Sequence, residues 1–314
     1  MGLDEQKLSA VANFVSDHLT LPCIPVAKTS PDFPRGIHCS GSIKISALIL
    51  LLLICSEHAV CAQSMQAPLA EALRGSQASA LILDFKTGRL LGEVRDTRRG
   101  TPGSSLKPLV LDYALRHHIV NSNTEVLCKR DLHVGSRYLP CTHPGDAIVF
   151  DAEAGLAESC NTYFADLAKR FSPENLEDAL RQSGIPHDPH ELATVEGREL
   201  VVLGLKGGMI SPLQLARAYR QMALGLTADS PVALGLADSV KYGMANAAAL
   251  PGVTILGKTG TASNAGEQWT HGWFAGYLPG RLVLVVFVPH GDGGTAALLA
   301  HTFFLELQRH EAPR

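Results

Sequence analysis

Apolar and polar positions along the chain alternate in ways that separate strands from helices. The runs Ser79–Asp84 (SALILD) and Arg89–Val94 (RLLGEV) stand on either side of Lys86-Thr87-Gly88, which predicts a hairpin. Pro68 to Leu73 reads as a helix before it. Pro102-Gly103 then breaks the chain, and Ser104 opens a helical pattern in which Leu106, Leu109, Val110 and Ala114 keep one apolar stripe. Residues 146–171 read as helical around Ala152 to Ala168. Pro173 to Ser183 reads as an amphipathic helix stopped by Gly184, and Pro212 to Leu224 as a further helix. The last third changes period, with strand-like runs at Thr254 to Leu256, Trp273 to Tyr277 and Leu282 to Val288. Pro279-Gly280 turns between the latter two, and Ala296 to Gln308 forms a closing helix. Two strands in front, helices between, and three strands with a helix behind predict an α/β (α+β) domain whose sheet is assembled from both ends of the chain.

Another apolar run has a different character. Ile45 to Cys55 (ISALILLLLIC) carries no formal charge, follows Lys44 and precedes the small-residue stretch Val60-Cys61-Ala62. It is shorter than the roughly 20 residues of a membrane helix and has the layout of a signal peptide. The expected organisation is therefore an extension at 1–42, a signal peptide or membrane anchor at 43–62 with attachment through 45–55, a linker or helix at 63–77, and one domain at 78–314. An exported, periplasmic or outer-face location follows as an expectation. The 46% hydrophobic and 18% charged content suits a globular core, and the formal net charge of -3 offers no basic footprint for nucleic acid.

An exported chain would keep Cys128, Cys141 and Cys160. The first two bracket the polar stretch KRDLHVGSRYLP and are expected to close it as a disulfide, with two free thiols as the alternative. No metal site is expected, because neither cysteine has a second ligand at metal-binding spacing and His133 and His143 are not placed as a pair. No cofactor motif is evident: Gly291-Asp-Gly-Gly294 lacks the Lys-Ser/Thr of a phosphate loop, and His187-Asp-Pro-His190 reads as a loop.

Three short motifs carry chemistry. In Ser104-Ser-Leu-Lys107 the first and last residues share a helix face, so the amine can reach the hydroxyl, and burial would keep that amine neutral enough to take a proton. Ser159-Cys160-Asn161 offers a second hydroxyl and an amide. Lys258-Thr259-Gly260-Thr261 offers a cation and hydroxyls for a carboxylate, with Gly260 letting a substrate lie against the backbone. Each alone is ordinary. Together they stand in the order Ser-x-x-Lys, Ser-x-Asn, Lys-Thr-Gly, which is the signature of penicillin-binding proteins and related β-lactamases.

The sequence resembles the transpeptidase domain of penicillin-binding proteins. The likeness rests on Pro102 to Pro108, Glu158 to Phe164, Ser211 to Ala216, Gly257 to Ala262 and His271 to Tyr277, and spans roughly residues 78 to 310. It implies a β-lactamase/transpeptidase-like fold, with a five-stranded antiparallel sheet flanked by helices plus an all-helical region. It also implies roles. Ser104 would attack a D-Ala-D-Ala bond of a peptidoglycan stem peptide, with Lys107 as base and Ser159 as proton relay. Asn161 would bind the substrate amide, and Lys258 with Thr259 the terminal carboxylate. The N–H groups of Ser104 and Thr261 would form the oxyanion hole, and β-lactams would inhibit by acylating Ser104. Two features depart from the family pattern: Leu205-Lys206-Gly207-Gly208 replaces the usual Gly-Gln-Gly, and the stretch from Met244 to Lys258 is short. A β-lactamase would need a Glu-x-x-Leu-Asn or Tyr-Gly-Asn stretch, and Tyr242-Gly243 is followed by Met244. A D,D-carboxypeptidase or a β-lactamase on the same fold, or a non-catalytic penicillin-binding sensor, remain the other readings. Neither the acceptor of the acyl group nor protein partners can be read from these residues.

Overall fold

The computed structural model describes residues 65–95, 98–145 and 147–312. All fall within one unit, Leu50–Arg314. The expected extension at 1–42 and leader or anchor at 43–62 lie outside the described residues. Among the described residues, no helix is long and apolar enough to cross a membrane.

A helix, α1, occupies 65–72. Strands β1 (Ser79–Asp84) and β2 (Leu90–Val94) form the expected hairpin, and β7 (Leu256–Ala262), β8 (His271–Leu278) and β9 (Leu282–Val288) follow near the C-terminus. They build one sheet in the order β2-β1-β9-β8-β7, antiparallel throughout. The two chain ends meet where Ala80 pairs with Val286 and Ile82 with Leu284. The small strands β3 (Val126–Cys128), β4 (His133–Val134), β5 (Arg137–Tyr138) and β6 (Ile148–Phe150) form two separate ladders, β3 with β6 and β4 with β5.

Both faces of the main sheet are covered, which explains why β9 is an unbroken apolar run rather than an alternating one. Its even positions Leu282, Leu284 and Val286 pack with Ala80, Ile82, Phe274 and the closing helix α10 (Gly293–Glu311), through Phe303, Phe304 and Leu307. Its odd positions Val283, Val285 and Phe287 pack into the helical region on the other face. Each such side chain, fully buried, is worth about 1.5–3 kcal/mol over an exposed one.

That region holds α2 (Lys107–Arg116), α3 (Ala152–Ala157), α4 (Asn161–Arg170), α5 (Pro173–Gln182), α6 (Pro189–Leu192), α7 (Val195–Val202), α8 (Pro212–Gly225) and α9 (Pro231–Lys241). Four expectations need correction. The single helix expected over 146–171 is β6, then α3, then a corner at Ser159, then α4. Asp151 starts α3 by accepting from the Ala154 N–H, and Cys160 restarts the helix by accepting from the Tyr163 N–H. The stretch around His187 to His190, read as a loop, contains α6. Its proline sits in the first turn, where a missing N–H costs nothing, and Asp188 caps it. Helices α7 and α9 were not anticipated, although Thr194 and Ser230 cap them and Pro231 opens the second. The strand expected to end at Leu256 instead begins there and runs through the Lys-Thr-Gly motif.

Candidate active site

The chain enters the site along Thr101 and Pro102. The carbonyl of Thr101 accepts from His271 Nε2 at 2.8 Å and Trp273 Nε1 at 2.9 Å, so two buried side chains of β8 fix the approach. Gly103 follows with φ of 54° in a 3-10 turn, Gly103–Leu106, that leads directly into α2. A Cβ on Gly103 would stand 2.7 Å from the Thr261 carbonyl oxygen and 2.9 Å from the Thr261 nitrogen. The glycine is thus what allows the start of the turn and the edge strand β7 to touch backbone to backbone. The turn is held from behind as well, by Tyr219 OH donating to the Ser105 carbonyl at 2.8 Å and by Gly103 N–H donating to the Gly204 carbonyl at 3.0 Å. Ser104 is left partly exposed, while Lys107, one turn on, is fully buried.

Lys107 reaches across to the corner between α3 and α4. Its Nζ donates to the Ser159 carbonyl at 2.8 Å and to Asn161 Oδ1 at 2.8 Å, and lies 3.3 Å from Ser159 Oγ. The Phe164 ring lies 5.1 Å from the amine. Burial lowers the Lys107 pKa to about 8, against the opposing pull of Cys160 and Cys141. A neutral amine has two N–H donors, enough for the two 2.8 Å bonds, and keeps a lone pair for a hydroxyl proton. Ser159 itself sits at φ of 56°, a left-handed conformation that disfavours a residue with a Cβ. Its backbone is held there by Ser159 N–H to the Leu156 carbonyl and Cys160 N–H to the Gly155 carbonyl. Asn161 Nδ2 donates to the carbonyls of Leu139 and Pro140, both at 3.4 Å, tying the corner to the 126–150 segment.

The opposite wall is β7, the sheet's edge. Lys258 is fully buried and donates to the Thr259 carbonyl at 3.2 Å. Its pKa is pushed well below the usual lysine value by burial and, second, by the nearby Lys107 cation, with Glu158 opposing. The Thr259 hydroxyl donates to the Met244 carbonyl at 3.2 Å, and Thr261 Oγ1 accepts from the Gly293 N–H at 2.9 Å. A Cβ on Gly260 would meet the Pro102 carbonyl oxygen at 2.4 Å and the Ser105 nitrogen at 2.9 Å.

The expected site residues thus converge from three elements: Ser104 and Lys107 on the turn and α2, Ser159 and Asn161 at the corner, and Lys258 to Thr261 on the edge strand. The disulfide expected between Cys128 and Cys141 is not what the fold holds. Both are free, as is Cys160, and their sulfurs are 3.5 Å apart against the ~2.05 Å of a bonded pair. The loop expected to be closed by two cysteines is instead gathered around three cysteines and His143. Sequence reasoning also missed His271, Trp273 and Tyr219 as supports of the Ser104 turn. All three are buried residues bonding to backbone carbonyls, and no local pattern announces such bonds.

The model of the family described as the penicillin binding protein transpeptidase domain matches residues 78–304. Among solved structures, the D,D-transpeptidase domain of a peptidoglycan glycosyltransferase from Eggerthella lenta superposes with a TM-score of 0.69 at 17% identity, over 79% of this chain and 82% of that one. The transpeptidase domain of penicillin-binding protein 3 from Burkholderia pseudomallei gives 0.69 at 20% identity, over 81% of this chain and 96% of that one. A penicillin-binding protein (PBP2) from Helicobacter pylori gives 0.68 at 16% identity, over 79% of this chain and 63% of that one. At these identities the structures show a shared fold. No curated protein matches the chain significantly.

Proposed function

The chain belongs to the penicillin-binding protein transpeptidase domain family, and from that premise we propose that it is a serine acyl-transferase acting on D-Ala-D-Ala stem peptides of peptidoglycan and acylated by penicillin. The observation that carries the proposal is Lys107: fully buried, held by two short bonds to the Ser159–Asn161 corner, and lowered to about 8. A base poised near neutral pH is what an otherwise inert serine needs.

In the proposed reaction Ser104 Oγ attacks the carbonyl of the penultimate D-Ala while Lys107 Nζ takes the hydroxyl proton. The developing oxyanion is received by the N–H groups of Ser104 and Thr261. The close approach of Gly103 to Thr261 supports this pairing, and such donors are worth a few kcal/mol each in other acyl-transfer enzymes. Collapse expels the terminal D-Ala amine, protonated through Ser159. A substrate carboxylate arriving beside Lys258 would favour its charged form, and the resulting cation would hold that carboxylate. Thr259 would join it by exchanging its bond to Met244 for one to the carboxylate, and Asn161 would hold the substrate amide. An amine or a water then attacks the acyl-enzyme and frees Ser104. The family implies cross-linking, so the proposed acceptor is an amine. Work on peptidoglycan also requires the chain to act outside the cytoplasm, for which the leader expected at 43–62 would serve.

The test is a D,D-donor peptide supplied with and without a D-amino acid acceptor. A transpeptidase yields the exchanged peptide in proportion to acceptor and loses it in Ser104→Ala. Release of D-Ala with no exchanged product at any acceptor concentration would make the enzyme a carboxypeptidase. No turnover by the wild type would refute the proposal.

A further inference from the structure

Beside the catalytic corner lies a group of side chains that the acyl-transfer chemistry does not use. Cys128, Cys141, His143 and Cys160 are all buried, and their four ligating atoms lie within 4.8 Å of one another. Cys128 Sγ is 3.5 Å from Cys141 Sγ, Cys141 Sγ is 3.8 Å from Cys160 Sγ, and Cys128 Sγ is 3.4 Å from His143 Nε2. Around a tetrahedral zinc, bond lengths of about 2.3 Å to sulfur and 2.0–2.1 Å to nitrogen place two thiolates about 3.8 Å apart and a thiolate and an imidazole about 3.5 Å apart. We propose that Cys128, Cys141, His143 and Cys160 form a structural zinc site that clamps the Ser159–Cys160–Asn161 corner to the 126–150 segment.

The surroundings favour ligands rather than packed thiols. His143 Nδ1 lies 3.1 Å from the Pro144 carbonyl, which only accepts, so Nδ1 carries the proton and Nε2 presents its lone pair toward the sulfurs. Each sulfur has a donor suited to a thiolate: Arg130 N–H to Cys128 at 3.3 Å, Thr162 Oγ1 near Cys141 at 3.7 Å, and Tyr163 N–H to Cys160 at 3.4 Å. Three thiolates and one imidazole in a closed tetrahedron select zinc over oxygen-preferring cations. The spacing hid the site, because Cys141 and His143 are two apart on a loop while Cys128 and Cys160 come from a strand and a helix start. Binding exchanges three thiol protons for the metal and leaves every residue's oxidation state unchanged.

Metal content is read independently of whether Ser104 is acylated. The full chain, purified without chelator, is expected to hold about one zinc per chain by elemental analysis. Exchange of zinc for cobalt(II) should give the visible bands of a tetrahedral thiolate complex. Replacing Cys23, Cys39, Cys55 and Cys61 by serine should leave the zinc in place, whereas Cys141→Ser or His143→Ala should lower it at least tenfold. Less than a tenth of an equivalent in the wild type, a Cys128–Cys141 disulfide in its peptide map, or zinc lost with the four other cysteines would overturn the proposal. The wild-type measurements decide the matter even if the single variants fail to fold.

Discussion

The two walls of the site are held in place differently. On the sheet side, Lys258, Gly260 and Thr261 belong to a strand paired residue by residue with β8, from Leu256 opposite Tyr277 to Ala262 opposite His271. On the helical side, Ser159 and Asn161 stand at a corner with no ladder behind them, bent through a left-handed residue and anchored by side chains. A ladder sets position through many weak, redundant bonds. A corner depends on a few bonds, each of which matters. Lys107 is therefore tuned by the less redundant wall, since both of its short bonds go there.

Removing the proposed base, which the helical wall holds, should have the largest effect. Lys107→Ala should slow acylation of Ser104 by about 10²–10⁴-fold, the usual worth of a positioned base. Stopped-flow with a chromogenic cephalosporin checks it, and a loss under tenfold would assign the proton to another group. With Lys107 intact, acylation should rise with pH about tenfold per unit below a midpoint near 8, as the amine becomes neutral.

The same shift makes a stability prediction. The folded-state pKa of about 8 lies below the ordinary lysine value of 10.5, so the unfolded chain binds more protons between those limits. Stability should therefore rise with pH across that window, by about 3 kcal/mol in all. Urea titrations of wild type against Lys107→Met would show the larger gain in the wild type, with the buried Lys258 contributing to both. A parallel dependence in both proteins would mean the lysine is not held in the buried state seen here.

The sheet wall breaks by crowding. Gly260→Ala would drive a methyl to 2.4 Å from the Pro102 carbonyl, forcing β7 away from the Ser104 turn. A loss of about 2–3 kcal/mol in denaturant unfolding is expected. The corner should respond in the opposite direction. Ser159→Gly relieves a left-handed residue and should add up to about 1 kcal/mol of stability, while removing the hydroxyl slows acylation. A destabilised Ser159→Gly would show that the hydroxyl, not the backbone, holds the corner.

The same contrast explains how much the sequence disclosed. Strands β1, β2, β8 and β9 announced themselves as apolar runs around glycine turns, whereas β7 was placed too early and its Lys-Thr-Gly motif was legible through its neighbours Gly257 and Ala262. Ser104 and Lys107 were legible because three positions on a helix share a face. The corner was harder: Ala152 to Ala168 is continuous helix by composition, and the bend at Ser159 rests on the local bonds of Ser159 and Cys160 N–H to Leu156 and Gly155 together with the reach of Lys107 from α2. Cys128 and Cys141 were read as a pair, but their grouping with His143 and Cys160 was not legible, because the fold brings the four from a strand, a loop and a helix cap. The bonds of Thr101 to His271 and Trp273 span about 170 positions and leave no local trace.

The central claim is that Ser104 is the nucleophile. Incubation of the intact protein with penicillin, followed by mass spectrometry of the whole chain and of its peptides, tests it most directly. The expected result is a gain of one penicilloyl mass per chain, carried by the peptide containing Ser104 and absent from Ser104→Ala. An unmodified wild-type chain, or an adduct on any other residue, would contradict it.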